Sequence, residues 1–143
     1  MFDESALKLA LIKSLRHQGG DGFRIEDKYR TGVPDMIMMA PEGPPPGGRT
    51  YAFLIEAKIV RGTKLVCTDM QAHYLERFHK PPGMFAAIIG FSDSRGALYI
   101  GQHDMALTDC RFVPRPARLA SSDWLIADLL WKMIFDERRV DVG

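Results

Sequence analysis

Two short apolar runs, Met36-Ile37-Met38-Met39 and Tyr51-Ala52-Phe53-Leu54-Ile55, are separated by the breaker stretch Pro41-Glu42-Gly43-Pro44-Pro45-Pro46-Gly47-Gly48. A loop so rich in Pro and Gly continues neither helix nor ladder, so the flanking runs fold back on each other as a β-hairpin. Charge sits where the hairpin opens. Gly32-Val33-Pro34-Asp35 leads into the first strand, and Glu56-Ala57-Lys58 closes the second. Side chains alternate along a strand, so Glu56 and Lys58 share a face and Ala57 points away. One carboxylate from each strand, with a lysine alongside, makes a candidate divalent-metal site with a cation beside it.

The rest of the chain supplies partners for that hairpin. Asp3 is a suitable N-cap for a helix over residues 3–17, with Leu7, Leu11 and Leu15 as its apolar stripe and Lys8, Lys13 and Arg16 outside it. Glu4 falls on the stripe and is expected to face inward, either as a first-turn acid favoured by the helix dipole or as a further acid of the metal site. Residues 23–28 alternate as a half-buried strand. Pro34 pushes Val33 toward extended geometry and helps aim Asp35. Thr68 and Gln71 form a capping-box pair opening a second helix that runs to about His79, with Met70, Tyr74, Leu75 and Phe78 on its apolar side. Phe85 to Phe91 is continuously apolar, as a strand buried on both faces should be. Ala97 to Ile100 is a further strand. From Gly101 to Arg118 the signals are weak, with Pro114 and Pro116 opposing regular structure. A last helix capped at Ser122 or Asp123 carries Trp124, Leu125, Leu129, Met133 and Ile134, as a lid on the core or an oligomer contact. The order α-β-β-β-α-β-β-α predicts an α/β fold: a mixed central sheet with helices on its faces and a C-terminal helix.

The 143 residues fit a single domain, with a core over about 3–100 and an extension over about 101–143. No apolar run approaches a membrane span. The acidic start Met1-Phe2-Asp3-Glu4 lacks a signal core, so a cytoplasmic protein is expected. Cys67 and Cys110 lack zinc-site spacing and are expected as reduced thiols, a single disulfide being the other option. His17, His73, His79 and His103 do not pair at ligand spacing and are expected to be structural or exposed. The net charge of +1 excludes nothing, so only a local basic cluster could mark a nucleic-acid surface.

Asp35 and Glu56 are hard oxygen donors suited to Mg²⁺, with the backbone carbonyl of Ala57 as a third oxygen. Lys58 could orient a water or neutralise charge in a transition state. An isolated E-x-K is far more often a solvated strand-end ion pair. Pro-Asp into a strand, a breaker loop, a strand into Glu-Ala-Lys and a helix bearing Gln71 is a much more specific ordered set.

On these residues the chain resembles the PD-(D/E)xK nuclease superfamily, whose signature is matched by Pro34-Asp35 and Glu56-Ala57-Lys58. More narrowly, Gly32-Val33-Pro34-Asp35, Ile55-Glu56-Ala57-Lys58 and Gln71 resemble the VRR-NUC branch, which is similar to the archaeal Holliday-junction resolvases and includes small phage and bacterial proteins. The similarity spans roughly Asp3 to Phe91, and Ala57 stands where Val or Ile is commoner. The resemblance implies a restriction-endonuclease-like α-β-β-β-α-β core in a bacterial or phage-infected cytoplasm. It also implies Mg²⁺ or Mn²⁺ on Asp35 and Glu56, catalytic help from Lys58, and roles for Glu4 and Gln71, although Gln71 is equally explained by the capping box. The implied activity is a DNA endonuclease acting on branched DNA, junctions or flaps, and symmetric resolution would call for a homodimer. A restriction-like nuclease on linear or single-stranded DNA, and a catalytically silent DNA- or protein-binding module, are the alternatives. Lys28, Arg30, Arg49, Arg61 and Lys64 are expected to form a basic rim for phosphates, and Tyr29 could stack on a base.

Overall fold

Helix α1 (Glu4–His17) begins where the sequence supplies a cap: the Asp3 carboxylate accepts the Ala6 N–H at 2.8 Å. Its apolar stripe, Leu7, Leu11, Ile12 and Leu15, is buried. The computed structural model describes residues 3–25, 32–41, 49–114, 126–131 and 133. After α1 come β1 (Asp21–Arg24), β2 (Met36–Pro41), β3 (Thr50–Ile59), β4 (Lys64–Leu65), α2 (Asp69–Phe78), β5 (Phe85–Ser92), β6 (Ala97–Gly101), β7 (Met105–Ala106), a 3-10 turn (Leu107–Asp109) and β8 (Arg111–Pro114). The architecture is α/β. A six-stranded sheet of order β1-β2-β3-β5-β6-β8 is mixed, with β3 and β5 parallel and the other neighbours antiparallel.

β2 and β3 pair antiparallel in the hairpin that the breaker loop demands, with Met36 opposite Ile55 and Pro41 opposite Thr50. A parallel neighbour needs a crossover, and α2 provides it between β3 and β5. β3 and β5 are thereby central, and every residue of β5 is buried. Two apolar clusters sandwich the sheet. Leu7, Leu11, Leu15, Met36, Met38, Phe53, Ile55, Ala57, Ile89 and Phe91 pack on the α1 face. Leu54, Val60, Leu65, Leu75 and Ile88 pack on the α2 face.

Three expectations change. The strand expected over 23–28 is β1, ending at Arg24, with 26–28 outside the described residues. It forms the sheet edge, so Phe23 is exposed and Gly22 turns to the core, 3.2 Å of Cβ space from the Ile37 carbonyl. Residues 101–114, expected to be irregular, hold β7, the 3-10 turn and β8. β8 is the opposite edge, with Pro114 as its last residue, where a missing N–H does no harm. On α2, Met70 is exposed and Leu75 is the buried residue, because the helix rests on the sheet by a narrow stripe.

Residues 126–131 and 133 are helical, with Ile126, Leu129, Leu130 and Met133 buried in the α1-face cluster. The Trp131 Nε1 donates to the Pro41 carbonyl at 3.1 Å and the Ala127 N–H to Gln18 Oε1 at 2.7 Å. These side chains cover the core on the α1 face. No helix among the described residues is long and apolar enough to cross a membrane.

Candidate metal centre

The β2–β3 ladder ends with Met36 opposite Ile55, and one further step of that register sets Asp35 opposite Glu56. The two carboxylates are thus brought to the same end of the hairpin, close enough for the Asp35 charge to act on Glu56. Local contacts then fix Asp35. Pro34 is buried, the Asp35 carbonyl accepts the Ile25 N–H at 2.9 Å, and Asp35 Oδ1 accepts the Ala57 N–H at 3.2 Å.

Glu56 is 4% exposed, in a strand that is otherwise core. Its Oε1 accepts from Gln71 Nε2 at 2.7 Å and lies 4.0 Å from Lys58 Nζ. Its Oε2 is buried with no hydrogen-bond partner among the described residues. Burial, and secondarily the nearby Asp35 charge, push the Glu56 carboxyl from its ordinary 4.5 up to about 7, with Lys58 and Lys8 pulling the other way.

Gln71 makes the capping box that the sequence offers and also donates to Glu56. Thr68 caps α2 by accepting the Gln71 N–H at 3.2 Å, and Gln71 Oε1 accepts the Thr68 N–H at 2.9 Å. With its oxygen held by the cap, the amide presents its nitrogen to Glu56. The capping box therefore orients the donor that holds the Glu56 carboxylate. Gly32 locks the arrangement: its φ is +92°, and a Cβ there would come 2.7 Å from Met70 Cβ and 2.9 Å from the Gln71 nitrogen. The loop into Asp35 can lie against the first turn of α2 only because that residue is Gly.

Glu4 is exposed instead of facing inward. At the first turn of α1 it has fewer neighbours to cover it than Leu7, although its charge still raises the Glu56 carboxyl slightly. The missed residue is Lys8, expected outside the stripe. Its Nζ lies 2.8 Å from Asp35 Oδ2. No signal in the sequence marks it, because its partner Asp35 comes from another element.

Of the basic rim, Arg61 and Lys64 are exposed just beyond the Glu56 end of β3. Arg49 is not part of it. It precedes β3 at the other end, and seven residues of extended chain put it roughly 23 Å from Glu56. Lys28, Tyr29 and Arg30 lie outside the described residues.

Behind Lys58, Cys67 and Cys110 are free thiols. His103 Nδ1 accepts the Cys67 N–H at 3.3 Å and touches its Sγ at 3.2 Å, while Nε2 pairs with Asp104 at 3.1 Å. Burial pushes the Cys67 thiol up, which marks a packed rather than an activated thiol. His79 Nδ1 accepts the Ala86 N–H at 3.0 Å, a structural role. A cleft of about 520 Å³ lies on another flank of α2, lined by Glu76, His79, Lys80, Gln102 and His103, and none of the converging carboxylates enters it.

Two neighbouring carboxylates, one with a buried oxygen that has no partner among the described residues, fit a hard divalent cation. Among the described residues no set of three His, Cys, Asp or Glu side chains could hold a metal. A cation bound here would have two carboxylates as side-chain donors and would need main-chain oxygen, water or substrate to complete its shell. The chain matches no protein-family model, and no curated protein is significantly similar to it in sequence.

Proposed function

We propose that the chain is a divalent-metal-dependent endonuclease that hydrolyses DNA phosphodiesters, built on a restriction-endonuclease-like core and directed to branched DNA such as junctions or flaps. The observation that carries the hydrolase reading is Glu56: a carboxylate buried beside Asp35, held by Gln71 and Lys58, with its other oxygen unpartnered among the described residues. A structural ion pair has no need for that orphan oxygen, and a buried polar atom without a partner carries an energetic penalty of about 1–3 kcal/mol. The branched substrate rests on the resemblance of Gly32-Val33-Pro34-Asp35 and Ile55-Glu56-Ala57-Lys58 to the VRR-NUC and resolvase nucleases.

Asp35 and Glu56, with the Ala57 main-chain oxygen, would hold Mg²⁺ or Mn²⁺. When bound, such an ion supplies Lewis-acid polarisation of the phosphate and lowers the pKa of water. The protein's own groups do the rest. Gln71 keeps Glu56 in one orientation, so the donor set is formed before substrate arrives. Lys58, on the Glu56 face, can hold the attacking water or neutralise the charge that develops on the phosphoryl oxygens. Arg61 and Lys64, exposed beyond the Glu56 end of β3, would supply the cations for a phosphate backbone.

The test is cleavage of matched branched, flap and linear DNAs with Mg²⁺ or Mn²⁺, beside Lys58→Ala and Asp35→Asn. Wild-type cutting that requires the ion, prefers the branched DNA and falls at least about 100-fold in each variant is expected. Equal cutting of linear DNA would remove the branched specificity. No cutting of any substrate, with DNA binding retained, would overturn the hydrolase and leave a DNA-binding module.

A further inference from the structure

The ion pair between Lys8 and Asp35 takes no part in the chemistry above, yet it is the closest charge–charge contact in the site: 2.8 Å, against 4.0 Å between Lys58 and Glu56. Both of its side chains are largely buried, 14% and 19% exposed. Asp35 thus has both oxygens engaged, Oδ1 by the Ala57 N–H and Oδ2 by Lys8, whereas Glu56 keeps Oε2 bare. A divalent ion between the two carboxylates meets an open oxygen on one side and a resident cation on the other. An ammonium cannot stay at hydrogen-bond distance from an oxygen that also takes a divalent ion without strong repulsion. Lysine is suited to leave, because four rotatable methylenes let the charge swing away while α1 stays packed by Leu7 and Leu11.

Formal charge shows what the exchange achieves. With both acids ionised, Asp35 and Glu56 balance Lys8 and Lys58, so the metal-free cluster is neutral. Entry of a divalent ion makes it positive, with one lysine released toward the exposed end of α1 where Glu4 sits. We infer that Lys8 is a resident counter-ion of Asp35 that a divalent cation displaces, and that the released ammonium becomes a phosphate contact for the substrate. This rests on the nuclease reading and adds an order to it: the ion enters first, and the site then attracts the polyanion.

Lys8→Met keeps the stem and removes the charge. Mn²⁺ alone is titrated calorimetrically into wild type, Lys8→Met and Asp35→Asn, and melting is followed in EDTA. Binding of branched DNA is measured in a Lys58→Ala background, with and without Lys8→Met, in Mn²⁺ and in EDTA. Lys8→Met is expected to bind Mn²⁺ about fivefold tighter, in line with the loss of one competing ion pair. It should also melt lower in EDTA and bind DNA about fivefold more weakly in Mn²⁺ but equally in EDTA. Unchanged or weaker Mn²⁺ binding would reduce Lys8 to a tether between α1 and β2. Tighter Mn²⁺ binding with unaltered DNA affinity would remove the phosphate contact. A wild type that binds no Mn²⁺, or an Asp35→Asn variant that binds it as well as wild type, would overturn the metal centre itself, and Lys8's role with it.

Discussion

Burial gives Glu56 a direct hold on the stability of the fold. Its carboxyl, ordinarily titrating at 4.5, is lifted to about 7, so between these values the folded chain binds a proton that the unfolded chain has released. Stability from this group is therefore fully present below pH 4.5 and is lost as pH rises through about 7. The displacement corresponds to roughly 3 kcal/mol. Metal-free protein should melt progressively lower from pH 5 to 8, and Glu56→Gln, which cannot ionise, should flatten that slope when followed by calorimetry in EDTA. A slope that persists in Glu56→Gln would assign the effect elsewhere. A Mn²⁺ ion bound at the proposed site would take the place of the proton, so the melting temperature it adds should grow over the same range.

At the scale of elements, the site is a junction between the hairpin and the first turn of α2. The hairpin was legible because Pro41 to Gly48 leaves the flanking apolar runs little choice, and the capping box because Thr68 and Gln71 stand at the required spacing. Lys8 was not legible. A helical pattern separates apolar from polar positions, and a lysine at the stripe's margin looks solvated until a carboxylate from another element meets it. The edge strand β8 was hidden for a related reason: Pro114 opposes a ladder anywhere but at a strand's end, and only the sheet order shows that it stands there. The two roles of Gln71 can be separated by substitution. Gln71→Glu keeps an acceptor for the Thr68 N–H, since Glu also suits a capping box, but sets a carboxylate against Glu56. Gln71→Ala removes cap and donor together. In EDTA at pH 8 both variants should melt lower than wild type, by about 1–2 kcal/mol of stability. Mn²⁺ should restore Gln71→Glu toward wild type, by neutralising the new repulsion, and leave Gln71→Ala low. Equal rescue of both would show that the cap is immaterial.

Across the whole molecule, the carboxylates hold their geometry because the strands that carry them are pinned from both faces. The α1 face is covered twice, by α1 and by the helical residues 126–131, which bury Ile126, Leu129 and Leu130 against the same cluster as Leu7, Phe53 and Ile55. The chain beyond Phe91 supplies β8 and this second cover, so it is structurally part of the core it follows. Leu129→Ala should therefore lower stability by about 2–5 kcal/mol, the range for emptying a buried leucine site. The same substitution separates a lid from an oligomer contact. Side chains packed within one chain lose that stability at every protein concentration, whereas a contact between copies loses it only where wild type is associated. Urea unfolding of wild type and Leu129→Ala over a hundredfold concentration range should give two parallel midpoints with a constant gap. A gap that closes on dilution would move these leucines from the core to an interface between copies.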